Sequence, residues 1–227
     1  MSSLRLTASV ILLSSALAGC VSTKTIGVAP NVLSQYHGDT LTVSHRGEGG
    51  FLAQTSGKAM FGAIGAVAMI HAGNELLHED QIPDPSVAIA QDLQADLVRE
   101  NGMKSVDNSV STDSTDVSKL AAQYQRANLL LDVYTTYWGF VYFPTNWAHY
   151  KVLYTARMRL IDTRSAKVLA TGFCSRKPEG SASEAPTYSE LLGDHGALLK
   201  KELAQAAATC AEQFGQNALL ENAVASR

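Results

Sequence analysis

The sequence predicts an α+β domain, a mainly antiparallel sheet of about four strands with helices packed on one face. Three observations lead there. Residues 148–160 alternate sharply, with Ala148, Tyr150, Val152, Tyr154, Ala156, Met158 and Leu160 on one side. Trp147, His149, Lys151, Thr155, Arg157 and Arg159 take the other side, the pattern of a long, half-buried strand. Residues 84–101 (DPSVAIAQDLQADLVREN) instead repeat apolar residues at helical spacing. Finally, the elements run strand, helices, strands, helix, which segregates helices from hairpins instead of alternating them.

Each element has its own warrant. Residues 40–45 (TLTVSH) alternate over a short first strand. Residues 57–78 are rich in Gly and Ala, and the twelve residues Ala59–Ile70 carry no polar side chain. A membrane-spanning helix needs about 20 apolar residues, so a simple span is not expected. Gly62, Gly65 and Gly73 would let a helix approach another backbone closely. A helix buried in the domain or covered by a partner, lying against the aromatic hairpin, follows; self-association stays open.

The helix over 84–101 has Asp84 as N-cap, Pro85 at its first position, and Val87, Ala90, Leu93, Leu97 and Val98 on its stripe. Gly102 stops it. Residues 107–116 (DNSVSTDSTD) read as a mobile loop, 127–143 as a strand, 161–167 as a turn and Val168–Cys174 as a further strand. A last helix over 194–223 puts Leu199, Leu203, Ala206, Cys210 and Phe214 on one stripe.

The N-terminus gives the domain organisation. Arg5 precedes a short apolar run, residues 6–17 (LTASVILLSSAL), the layout of a secretory signal. Leu17-Ala18-Gly19-Cys20 then resembles the lipobox of bacterial lipoproteins. That resemblance implies cleavage before Cys20 and acylation of its sulfur and of the new amino terminus. Several acyl chains make a stable membrane anchor where one is marginal. In such proteins an Asp after the cysteine often retains the chain at the inner membrane. Val21 stands there instead, so the resemblance implies an outer-membrane protein, lipid-anchored and facing the periplasm. The expected division is a signal at 1–19, a tether at 20–37 and a single periplasmic domain at 38–227.

A net charge of −3 over 227 residues offers no basic face for nucleic acid. Once Cys20 is lipidated, Cys174 and Cys210 remain, an even pair that suits a disulfide in an oxidising compartment or two buried thiols. The Cys210 stripe faces a sheet whose last strand ends at Cys174, which favours the bond. The sequence contains no Gly-x-Ser-x-Gly elbow and no Ser-x-x-Lys pair. No cofactor is expected and no catalytic residue is assigned. His71, Glu75 and His78 share a helix face at metal-ligand spacing, but also read as an ordinary solvated helix end. Nine of the sixteen aromatic residues fall between 134 and 154. Tyr137, Trp138, Phe143 and Trp147 are the candidate interaction surface, because aromatic residues on a face without cover mark contact sites.

Residues 84–175, through "LLLDVYTTYWG…HYKVLYTARMRLIDTRSAKVLATG", resemble envelope lipoproteins related in fold to the curli-secretion lipoprotein CsgG and the N-terminal domain of TolB. There too a helix precedes a strand of low charge and a long hairpin with an Asp-x-x-(small)-x-Lys turn. The expected function is a non-catalytic envelope role, binding a protein partner or itself, with the membrane held through the N-terminal anchor. Two alternatives are an oligomeric outer-membrane pore or secretion subunit and a metal-dependent hydrolase.

Overall fold

In order, the chain forms β1 (Thr40–Val43), β2 (Leu52–Gln54), α1 (Ser56–Ala59), α2 (Gly62–Asp80), α3 (Pro85–Asn101), β3 (Lys104–Ser105), α4 (Val117–Gln123), β4 (Leu129–Phe143), β5 (Asn146–Asp162), β6 (Lys167–Arg176) and α5 (Tyr188–Phe214). This is a computed structural model describing residues 24–29, 31–178 and 180–219. The signal at 1–19 and Cys20 lie outside those residues.

The antiparallel hairpin β4–β5 forms the centre, in register from Leu129↔Asp162 to Phe143↔Asn146, and β6 extends it antiparallel. On the other edge of β4, β1 pairs parallel near its start and β2 parallel near its end, with β3 beside β1. The class is α+β as expected, but the sheet has six strands, not four. The extra strands, β2 and β3, are three and two residues long, too short to show alternation.

Helices α3 and α5 pack on the face that carries Leu131, Val133, Trp138, Phe140, Tyr154, Ala156, Met158 and Leu160. Asp84 caps α3 by accepting from the Ser86 amide, and Gly102 ends it in the left-handed region at φ 63°. Its buried stripe is Ile89, Ala90, Leu93 and Leu97, whereas Val87 is 54% exposed. In α5, a capping box at Thr187 and Glu190 starts a first turn. Backbone outside the helical region at Gly193–Gly196 then breaks the rod before the expected stripe, which is buried from Leu199 to Phe214. Cys174 and Cys210, both without solvent exposure, are joined as a disulfide between β6 and α5.

Two expectations are corrected. Ile26 pairs with Thr171 on β6, and Val28, Leu33 and Tyr36 are buried. Most of the segment read as tether is therefore part of the domain, drawn in by apolar residues too sparse to show a period. Residues 107–116 are also not a free loop. Tyr124 and Gln123 donate to the Val110 and Ser111 carbonyls, while Arg46 donates to that of Ser114.

Candidate interaction surface

The second face of the sheet is covered only in part. Near the start of β4, Leu120 of α4 and Tyr124 just after it pack on Leu130 and Ile161. Toward the β4–β5 turn no helix lies on this face among the described residues. It carries Tyr137, Val141, Phe143, Lys151, Leu153, Thr155, Arg157 and Phe173, all partly or fully exposed.

A β-bulge between Thr135 and Tyr137 sets which aromatics end up there. Before it, odd-numbered residues of β4 face the helices. The extra residue, Thr136, shifts the alternation by one, so Trp138, Phe140 and Tyr142 turn inward while Tyr137, Val141 and Phe143 turn outward. Tyr137 is 37% exposed, and what burial its ring has raises its hydroxyl pKa. Phe143 lies under the Lys151 ammonium, 5.1 Å from the ring centre, and Arg157 lies 5.6 Å over Phe173. Rings and cations thus interleave on this face.

Trp138 does not belong to this surface. It is 1% exposed, meets Phe51 edge-on at 5.1 Å and donates from Nε1 to the Gly49 carbonyl. Trp147, 61% exposed, sits by the β4–β5 turn, donating to the Pro144 carbonyl and edge-on to Tyr142.

Below the exposed aromatics lies an ionic cluster that sequence reasoning missed. The Asp132 carboxylate has no solvent exposure and accepts from Ser44, Arg46 and Arg159. Tyr134 stacks beneath both guanidiniums, 4.4 Å from Arg46 and 5.5 Å from Arg159. The same arginines donate to the carbonyls of Ser114 and Thr115, which fastens the 107–116 segment over this part of the face. A lone Asp inside "LLLDVY" was the available signal, since a buried charge requires partners.

The helix face holds a second polar knot. Thr135 donates to Asp84 and lies 3.1 Å from the Tyr154 hydroxyl, whose pKa burial pushes up. Asp84 lies at the end of an apolar groove of about 440 Å³ between α3 and α5, lined by Ile82, Pro83, Val87, Leu203 and Ala207. The carboxylate caps α3 and accepts from Thr135.

His71 and Glu75 come within 3.4 Å on α2, with side chains 74% and 62% exposed, and His78 is exposed beyond them. Among the described residues no group of three or more His, Cys, Asp or Glu is placed to hold a metal ion.

The sequence matches no protein-family model and no curated relative. Among solved structures, the chain is similar to the PelC dodecamer from Paraburkholderia phytofirmans at 13% identity, covering 80% of this chain and 95% of that one with a TM-score of 0.33. It is similar to lipoprotein GNA1162 from Neisseria meningitidis at 17% identity, over 74% and 99% of the two chains, TM-score 0.31. The LpoB C-terminal domain from Salmonella enterica is 11% identical over 66% and 96%, TM-score 0.27.

Proposed function

We propose that this chain is a lipid-anchored envelope lipoprotein, held in the outer membrane through Cys20, whose periplasmic domain has a non-catalytic role as a protein-binding or assembly-accessory module. The lipobox-like Leu17-Ala18-Gly19-Cys20 supports the anchor. The observation that carries the binding role is the uncovered sheet face, where Tyr137, Phe143 and Phe173 lie among Lys151 and Arg157. Aromatic residues and Arg are enriched at protein contact surfaces, and Tyr137, Phe143, Phe173 and Arg157 supply that content here. Crosslinking in the native envelope tests it. Tyr137→Ser with Phe143→Ser should remove at least one crosslinked partner that the wild-type chain retains, and an unchanged partner profile overturns the reading.

Spanning of a bilayer by a helix has no support, because no described helix is long and apolar enough to cross one. The hydrolase alternative has no assembled ligand set among the described residues.

A further inference from the structure

The outward face of the sheet is stepped. At the start of β4 it is covered by α4 and by the segment that Arg46 and Arg159 hold through the Ser114 and Thr115 carbonyls. From the Tyr134↔Arg157 pair to the β4–β5 turn it is bare of helices among the described residues. The edge of the step therefore lies at the level of Arg159, where a raised part and a recessed part of one face meet.

The two parts carry opposite charge. Asp113 and Asp116 flank the two tethered residues and are both exposed. Arg46 and Arg159 spend their ion pairs on Asp132, and no described cation pairs with Asp113 or Asp116. On the recessed part, the outward strand residues include the cations Lys151 and Arg157 and no carboxylate. The Lys151 ammonium rests over the Phe143 ring without an ion pair among the described residues. Tyr137, Val141 and Leu153 form an apolar floor between the two charged ends.

A raised acidic edge and a recess holding a cation cannot meet within one chain, because both belong to the same sheet. They meet between two copies related by a two-fold axis, an isologous contact in which each raised edge enters the other copy's recess. Register locates that axis. Tyr137 pairs with Thr155, and Arg159 and Lys151 lie four residues to either side of Thr155, about 13 Å each way. An axis lying between the faces, across the strands at Tyr137 and Thr155, brings the edge of one copy to the level of the partner's Lys151. Stacked sheets stand about 10 Å apart, a gap that one extended segment such as 113–116 fills. Helix α4 stays clear of the partner's paired strands. Its Leu120 packs at the level of Ile161, about 20 Å from the axis, where the partner's hairpin turns.

We infer that the recessed part of this face binds a second copy of this chain. Tyr137 meets its own counterpart at the axis, and the Asp113–Asp116 edge of each copy seats on the partner's Lys151. The inference rests on the protein-binding reading above and names the partner.

The test uses the full chain in mild detergent, with sedimentation equilibrium reading its mass. Wild type should be a dimer at micromolar concentration. Oxidised Tyr137→Cys should form a covalent dimer that wild type does not, because a residue on the axis faces itself. Lys151→Asp should weaken the dimer by about tenfold or more, since it sets like charges together twice. Adding Asp113→Lys and Asp116→Asn should restore it, with Asn still able to cap α4. Restoration also shows that the variants fold. A monomeric wild type overturns the second copy and leaves the surface to another protein, which the envelope crosslinks of Tyr137→Ser/Phe143→Ser report. An envelope profile indifferent to those substitutions, with a monomeric chain, overturns both. A dimer that ignores Lys151→Asp and leaves Tyr137→Cys unlinked forms through another face, and overturns the pairing as well.

Discussion

Asp132 has no contact with water, and its carboxylate gathers Ser44 and Arg46 from one segment and Arg159 from another. Two guanidiniums around one carboxylate leave a local excess of positive charge, so the carboxylate is what makes their burial tolerable. The side chains of Arg46 and Arg159 are only 12% and 14% exposed, leaving little screening. Asp132→Ala should therefore destabilise the fold by about 3–5 kcal/mol, the range for breaking a buried pair from one side. The urea midpoint should fall at unchanged slope, and a midpoint within error of wild type would show the cluster to be dispensable.

A second residue pair sets a pH dependence. The Tyr36 hydroxyl donates to Asp162 at 2.6 Å. Burial alone would raise the Asp162 carboxyl, but the Tyr36 hydroxyl, the amides of Ser165 and Arg164 and the Arg164 charge outweigh it and hold it below the usual range. Its contribution is thus complete above the unfolded value of about 3.9 and is lost as pH falls through the lower folded value. Tyr36 is pushed up to about 12, by burial first and then by Asp162. Its contribution is complete below about 10 and disappears as pH rises toward 12. Asp162→Asn should flatten the acid limb of a stability–pH profile; an unaltered limb below pH 4 would assign it to other groups.

Among the elements, α2 depends on its glycines in a way that can be measured. A Cβ on Gly73 would stand 2.0 Å from the Phe51 carbonyl oxygen, and one on Gly65 2.1 Å from that of Lys58. Both obstacles are backbone, which cannot rotate aside. Gly73→Ala should cost about 1–3 kcal/mol despite the better helix propensity of Ala, as for other overpacked sites. Gly57 has open space around it, so Gly57→Ala should be neutral or slightly stabilising. Thermal melts of the two variants give opposite signs if close packing is what selects glycine.

These contacts also mark how far the sequence could be read. Close approach by a small-residue helix was legible, but the neighbour was not. It is the backbone at Phe51, just before a three-residue strand that has no period, and at Lys58 in the short helix α1. α3 was legible because the cap, proline, stripe and stop agree, except that Val87 turns to the α3–α5 groove. The outward pair Tyr137 and Phe143 was separable from the helix face, but Trp138 was not, because the bulge shifts alternation mid-strand and leaves no compositional mark. Asp132 required knowing that two distant arginines reach one strand.

At the scale of the whole molecule, two long-range ties close the chain onto the sheet. The Cys174–Cys210 disulfide spans 36 residues and fixes α5 to β6. Closing such a loop is worth about 4 kcal/mol in the chain-entropy account. Reduction should therefore lower the melting temperature by roughly 10 °C, at ~2–4 °C per kcal/mol for a domain of this size. A melt unchanged by reductant would mean that packing around Leu203, Ala206 and Phe214 holds the helix alone.

The N-terminal segment is the second tie, and it moves the domain boundary. Val28 and Leu33 have 0% and 1% exposure, and Val28 donates to the Ala218 carbonyl in the turn after α5. The segment thus bridges the β6 edge and the end of the last helix. Burial of these two side chains contributes about 3–6 kcal/mol, before the Tyr36–Asp162 bond is included. A chain starting at Lys24 should melt as the full chain does, while one starting at Gly38 should melt well below it or fail to fold. Equal melting temperatures would return residues 24–37 to the role of a leash.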